Sequence, residues 1–126
     1  MSTPIPPKHV PQFVQLKYRD TEPMLEVTLK APTGAIVNLS AVGSVQLHIG
    51  LENRSTRLTR EMSIYDAANG IIRYSWQPED WTDAPALVVG VHAMEYELIG
   101  TDPERRQTYP NSGHDYLVVV DDLGQG

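Results

Sequence analysis

Histidines are the residues of this chain best suited to bind a transition metal or to transfer protons near neutral pH. They are dispersed, at His9, His48, His92 and His114. No pair has the His-x-x-x-His or His-Glu-x-x-His spacing that would place two ring nitrogens on one metal. His92 alternates with apolar residues, so we expect it to be a hydrogen-bonded core residue and not a ligand. The histidines therefore predict no metal site.

Acidic residues gather in two places that could bind a cation or supply a pair of catalytic carboxyl groups. Glu79, Asp80 and Asp83 lie in one polar segment, and His114-Asp115 precedes Asp121-Asp122 near the end of the chain. Glycosidase chemistry needs two carboxylates that face each other across a cleft, whereas several acids of one loop are more simply solvated. The second group could bind a hard cation only weakly. We expect neither group to be a catalytic or metal site.

Nucleophilic catalysis also lacks a suitable residue. The chain contains no cysteine, which removes thiol nucleophiles, thiolate metal ligands and disulfides. Ser75 lies between two aromatic residues of a strand pattern, and no Gly-x-Ser-x-Gly sequence would expose it on a strained turn. The glycines are too widely spaced for a phosphate-binding loop. We therefore expect a protein that is not an enzyme and that binds no cofactor.

Length and charge narrow the class of partner. The chain has 126 residues and a net charge of -6, which fit one domain with an acidic surface. Binding to nucleic-acid phosphates needs clustered Lys and Arg side chains, and the one notable grouping, Arg54, Arg57 and Arg60, is typical of a charged sheet edge. No stretch approaches the ~20 apolar residues of a membrane-spanning helix, and no signal peptide is expected. The expected partners therefore include neither nucleic acid nor a membrane.

Alternating apolar residues predict the β-strands on or between which the histidine, acidic and arginine side chains discussed above are placed. Asn69-Gly70 favours a two-residue hairpin turn, because such turns need positive φ angles. The residues that share one face with period two, all apolar or aromatic except His92, are Val14, Leu16 and Tyr18; Leu25, Val27 and Leu29; Val45, Leu47, Ile49 and Leu51; Leu58, Met62 and Ile64; Ile72, Tyr74 and Trp76; His92, Met94, Tyr96 and Leu98; and Tyr116, Val118 and Val120. Arg60 is an inward exception that the pattern does not explain.

These patterns predict an all-β fold, an immunoglobulin-like antiparallel β-sandwich of seven to eight strands without an amphipathic helix. The residues expected to define its core are Tyr74, Trp76, Tyr96, Pro110 and Tyr116. We divide the chain into an extended Pro-rich arm at residues 1–11, a β-sandwich domain at 12–122 and a flexible tail at 123–126.

Surface features are what remains for function. A Pro-rich arm is stiff and extended and loses little entropy when it docks, so Pro4, Pro6, Pro7 and Val10 are candidate partner-binding residues. Trp81 is a further candidate, since the polar loop from Gln77 to Pro85 could expose it as an interface anchor. The alternative is that Trp81 folds back onto the sandwich. Edge strands could also pair with a partner's sheet.

The order of these motifs resembles the amino-terminal domain of phage baseplate upper proteins. The similar segments span residues 15 to 122. They are the turn at Asn69-Gly70 with the run from Ile72 to Asp80, Gly90, Glu95-Tyr96-Glu97, Gln107-Thr108-Tyr109-Pro110 and Asp115 to Val120, preceded by Asp20 to Leu29, Gly34, Val37-Asn38-Leu39 and Val45. The departures are His92, where the family usually carries an aromatic residue, and a longer, more charged turn from Thr101 to Arg106.

The resemblance implies a structural protein of a tailed bacteriophage particle, multimeric and attached to the tail or baseplate. Family members continue into a long receptor-binding or adaptor region, whereas this sequence ends after the domain. We therefore expect it to correspond to the attachment module alone. The implied partners are other phage structural proteins and copies of itself, and the implied location is the virion, assembled in the cytoplasm of the host bacterium. Two alternatives stay open. One is a decoration protein on the phage head, and the other is a soluble carbohydrate-binding module that stacks sugars on Trp76, Trp81 and the tyrosines.

Overall fold

In the described residues the regular secondary structure is eight β-strands and one short helix, which agrees with the predicted all-β class of seven to eight strands. The computed structural model describes residues 11–51, 57–110 and 114–121. Within them lie β1 (Phe13–Lys17), β2 (Leu25–Thr28), β3 (Val42–Gly50), β4 (Arg57–Asp66), β5 (Ile71–Tyr74), helix α1 (Glu79–Thr82), β6 (Gly90–Gly100), β7 (Arg106–Tyr109) and β8 (Asp115–Val120). No helix in these ranges has the length and apolar character needed to cross a bilayer. The predicted tail and all of the predicted arm except Pro11 lie outside the described residues.

The strands form one mixed sheet that curls until it is nearly closed into a barrel. Their order is β1-β8-β6-β3-β4-β5-β2, and β7 pairs with β6. All pairs are antiparallel except β1 and β8, which are parallel. The sequence pattern predicted two antiparallel sheets, and β4 accounts for the difference. Residues 57–62 of this strand pair with β3, residues 63–66 pair with β5, and a bulge bends the strand between Ile64 and Asp66.

The core lies inside this curled sheet and follows the predicted alternation on most strands. Buried positions alternate along β2, β3 and β6, as period two requires of a strand with one covered face. The predicted core residues Tyr74, Trp76, Tyr96 and Pro110 are all buried. The period-two patterns therefore identified the correct inward face on these strands.

The last strand is the exception, and the prediction that Tyr116 defines the core is wrong. Asp115, Leu117 and Val119 face the interior, whereas Tyr116 and Val118 are half-buried on the outer face. The side chain of Asp115 accepts hydrogen bonds from the hydroxyl of Tyr96 at 3.0 Å and from the backbone N–H of Gln12 at 2.9 Å. Because these bonds hold Asp115 inward, the residues on either side of it along the strand must point outward.

The β4–β5 turn also differs from the two-residue turn that Asn69-Gly70 predicted. Residues 67–70 connect the strands, and the positive φ of 66° belongs to Gly70 and not to Asn69. Asn69 instead donates from its side-chain amide to Asp66 at 2.8 Å. A β-carbon at Gly70 would lie 2.6 Å from the carbonyl oxygen of Val37, so this position requires glycine for space as well as for φ.

Candidate assembly surface

A buried charge cluster explains why Arg60 points inward. Asp80 is fully buried in α1, and its carboxylate accepts a hydrogen bond from the Nε of Arg60 at 2.6 Å. The same carboxylate accepts from the hydroxyl of Tyr74 at 2.8 Å and from the backbone N–H of Gln77 at 2.9 Å. We call Arg60, Tyr74 and Asp80 the buried charge cluster. It links β4, β5 and α1, so the acidic segment is not the solvated loop that its composition suggested.

The electrostatics of this cluster favour a structural role. Burial works to lower the pKa of Arg60, but the hydrogen bond and charge of Asp80 outweigh it and raise that pKa above its usual value. Burial, reinforced by the adjacent carboxylate, raises the pKa of Tyr74. The carboxylate is enclosed and already accepts hydrogen bonds from each of these partners, which leaves no open face for a substrate. The cluster holds the fold together and does not resemble a catalytic site.

Trp81 takes the alternative position, folded back onto the sheet, and is not an exposed anchor. Only 5% of its surface is exposed, and its indole N–H donates to the backbone carbonyl of Asp20 at 3.0 Å. Its ring also meets Tyr18 edge-to-face at 5.4 Å between centroids. The physical reason is the buried charge cluster, because Asp80 pulls α1 inward and brings the next residue with it. The other partner-binding candidates, Pro4, Pro6, Pro7 and Val10, lie outside the described residues.

The histidines serve structural contacts where they are described. His92 is buried and its Nε2 donates to the carbonyl of Val88 at 2.7 Å, which confirms the predicted core role. His48 contacts Glu97 at 3.1 Å and His114 contacts Glu95 at 2.8 Å on the outer face. The hydrogen bond with His48 lowers the pKa of Glu97. Within the described part of the chain, no three His, Cys, Asp or Glu side chains are grouped to hold a metal ion.

Neither tryptophan of the expected sugar-stacking platform is exposed. Trp76 and Tyr74 are buried and meet edge-to-face at 5.3 Å, so neither ring offers a flat face to solvent. A shallow depression of about 340 Å³ borders Trp76, and residues 21–24 and Ser75 complete its lining. Among these described lining residues Glu22 alone is titratable, so the depression has no acid–base pair. The carbohydrate-binding alternative therefore loses the exposed aromatic row on which it depended.

Several apolar side chains form a patch on the outer face of the sheet. It runs across β1, β8 and β6, and we call its residues the outer strip: Phe13, Val91, Ala93, Tyr116 and Val118. Strand register places Tyr116 between Phe13 and Ala93, and places Val118 beside Val91. Phe13 is 68% exposed and Val91 is 57% exposed. The ring of Phe13 stacks on that of Tyr116 at 5.2 Å, with 18° between their planes.

Such a strip is a candidate binding surface because contiguous exposed apolar area marks interaction sites on soluble domains. Covering a large apolar side chain gains ~1.5 to 3 kcal/mol relative to leaving it in water. Sequence reasoning missed the strip, since it placed Tyr116 and Val118 in the core and did not single out Phe13 or Val91. The available signal was the unbroken apolar run from Tyr116 to Val120, in which both faces of one strand are apolar.

Comparison with known proteins shows a similarity in fold. No protein-family model matches the chain, and no curated protein matches it. Among solved structures, the chain is similar to the N-terminal domain of phage TP901-1 ORF48, with a TM-score of 0.59 and 12% sequence identity. The alignment covers 90% of this chain and 91% of that one. At this identity the likeness concerns the fold alone, so the chain shares the fold of a phage protein domain.

Proposed function

We propose that this protein is a non-enzymatic structural component of a tailed bacteriophage particle, an assembly and attachment module of the tail or baseplate. The observation that carries the proposal is the likeness to the N-terminal domain of phage TP901-1 ORF48, which extends over 90% of this chain. A similar fold hosts many functions, so the likeness supports the proposal through the shared fold and does not by itself give the task. The surface of the molecule supplies the second line of support.

The outer strip supports an assembly role. Phe13 and Val91 offer their apolar side chains to solvent on one continuous sheet face. A subunit that works in a multimer gains from such a face, because contact with a neighbour removes its apolar area from water. In the proposed particle the partners are other phage structural proteins and further copies of this chain, and the location is the virion.

The polar clusters support a role without catalysis. The carboxylate of Asp80 is enclosed and hydrogen-bonded to Arg60 and Tyr74, and Tyr96 donates to the buried Asp115. In both clusters the polar groups satisfy one another inside the fold, whereas an active site needs groups that converge on an accessible substrate position. We therefore assign these clusters to stability and the outer strip to function.

Quantitative mass spectrometry of purified phage particles tests the proposal. A tail or baseplate module is expected in the particle at a copy number far below that of the major capsid protein, because tail structures are closed rings of few subunits. A copy number comparable to the capsid protein would instead identify a decoration protein of the head. Absence of the protein from particles, with abundant protein left in the lysate, would contradict both.

A further inference from the structure

We propose that the outer strip is the docking site for the N-terminal arm, residues 1–10, of a neighbouring copy of this chain. The inference rests on the proposed function, in which copies assemble side by side. Its support comes from three features: the chemistry of the strip, the composition of the arm and the point at which the arm joins the described fold.

The strip has the chemistry that binds proline-rich segments. Phe13 and Tyr116 lie side by side with their rings stacked, and Val91 and Val118 continue the apolar surface on the next register positions. Proline-rich segments in the polyproline II conformation dock on aromatic-lined apolar surfaces, and their stiffness lowers the entropy lost on binding. An aromatic pair beside valines, with Phe13 largely exposed and Tyr116 half-buried, therefore matches a ligand of this kind.

The arm has the matching composition. Its sequence, MSTPIPPKHV, carries prolines at positions 4, 6 and 7 and apolar side chains at Ile5 and Val10. Each residue before a proline is restricted to extended backbone conformations, which favours a straight segment over a tight turn. At ~3.1 Å per residue, ten residues in polyproline II conformation reach ~31 Å. Along β8 the strip extends only from Tyr116 to Val118, which is ~7 Å at ~3.3 Å per step. The arm is therefore long enough to cross a strip on another copy.

The arm is joined to β1 at a point from which its own strip is hard to cover. Gln12 is anchored at the start of β1, since its N–H donates to Asp115 and its carbonyl accepts from the backbone N–H of Tyr116. β1 and β8 are parallel, so Val118 lies beside Gln15, in the direction of the chain after Phe13. The described residues Pro11 and Gln12 precede Phe13, so the arm is joined to β1 at the end opposite to Val118. To cover its own strip it would have to reverse at once, next to Pro11, whereas a neighbouring strip needs no reversal.

Cysteine cross-linking between two singly substituted full-length chains tests the docking directly, because the natural chain contains no cysteine. One chain carries Ile5→Cys in the arm and the other carries Val91→Cys in the strip. The matched control replaces Val91→Cys with Tyr65→Cys, since Tyr65 is 60% exposed on β4 and Val91 is 57% exposed on β6. The two chains are mixed under mild oxidation, and the disulfide-linked species are assigned by peptide mass.

We expect the mixed Ile5→Cys and Val91→Cys dimer to exceed the Tyr65→Cys control by roughly tenfold, the ratio that ~1.4 kcal/mol of binding gives. Adding Phe13→Ser to the Val91→Cys chain, or an excess of a synthetic peptide of residues 1–11, should reduce the yield to that of the control. Phe13 is largely exposed, so its replacement is expected to leave the fold intact, which circular dichroism can verify.

Three results would overturn the proposal. Equal yields with Val91→Cys and Tyr65→Cys would show that the arm does not bind the strip preferentially. Dominant dimers of Val91→Cys with itself would show that two strips pair face to face. Intramolecular closure of a chain with both Ile5→Cys and Val91→Cys at high dilution would show that the arm covers its own strip. Because mass spectrometry of particles tests the proposed function separately, a protein found in virions without this cross-link would contradict the docking alone.

Discussion

Replacing Asp80 with asparagine probes the buried charge cluster, on which the position of α1 depends. Asp80→Asn keeps the shape of the side chain but removes its charge, and it presents an amide N–H₂ to groups that are themselves donors. The Nε of Arg60 then loses its charged acceptor at 2.6 Å, and the hydroxyl of Tyr74 loses one at 2.8 Å. Helix α1 and the inward position of Trp81 should loosen together.

The expected cost follows from burial. Breaking a buried ion pair by removing one partner typically costs ~3 to 5 kcal/mol, because the other charge is left uncompensated. Here the side chain of Arg60 is 30% exposed and water can partly solvate it, so we expect the lower end, ~3 kcal/mol. The measurement is the free energy of unfolding in urea at pH 7, followed by the fluorescence of Trp76 and Trp81.

The pair formed by Glu26 and Arg73 provides a matched control. Its Nε to carboxylate distance is 2.7 Å, close to that of Arg60 and Asp80, but both side chains are substantially exposed, Arg73 by 32% and Glu26 by 46%. Glu26→Gln should therefore cost at most ~1 kcal/mol. In a double-mutant cycle, Arg60→Met combined with Asp80→Asn should cost clearly less than the sum of the single variants. If the stability losses of Asp80→Asn and Glu26→Gln lie within ~0.5 kcal/mol of each other, burial does not increase the stabilising effect of the Arg60–Asp80 pair, contrary to our expectation.

Three further expectations concern the core, the arm and alkaline pH. Trp76→Ala should cost ~3 to 5 kcal/mol in urea unfolding, and a loss below ~1 kcal/mol would place that ring on the surface. A chain lacking residues 2–10 should keep its unfolding midpoint but enter particles less efficiently, as measured by mass spectrometry, whereas failure to fold would assign the arm to the core. Burial and the nearby Asp115 raise the pKa of Tyr96 above its ordinary value of 10.0, so the folded state retains a proton that the unfolded state releases. Stability should thus fall as pH rises above 10, with a shallower fall in Tyr96→Phe, and an unchanged slope in that variant would contradict the assignment.

The sequence predicted the fold best where one face of a strand is apolar and the other polar. On β3 and β6 period-two alternation identified the buried face, including His92. On β8 both faces are apolar, and the inward face is decided by the hydrogen bond from Tyr96 to Asp115, 19 residues away along the chain. Local periodicity carries no information about such a partner, so Tyr116 was assigned to the wrong side.

The same limit applies to the candidate site. Arg60 stood out as an exception, but its partner Asp80 lies 20 residues away in a segment whose composition is typical of a solvated loop. Trp81 followed Asp80 inward for the same reason. The outer strip is formed by the outward faces of three strands that are adjacent only in the folded sheet. The sequence therefore contains no signal that Phe13 and Val91 lie close together in the fold.

Cryo-electron microscopy of intact phage particles that encode this chain would show directly whether the protein is part of the virion. We expect density that fits the curled eight-stranded sheet, repeated around the axis of the tail or baseplate. The outer strip of each copy should contact a neighbouring subunit. Particles in which no density in tail, baseplate or head accommodates the fold, and from which the protein's peptides are absent, would contradict the assignment to the virion.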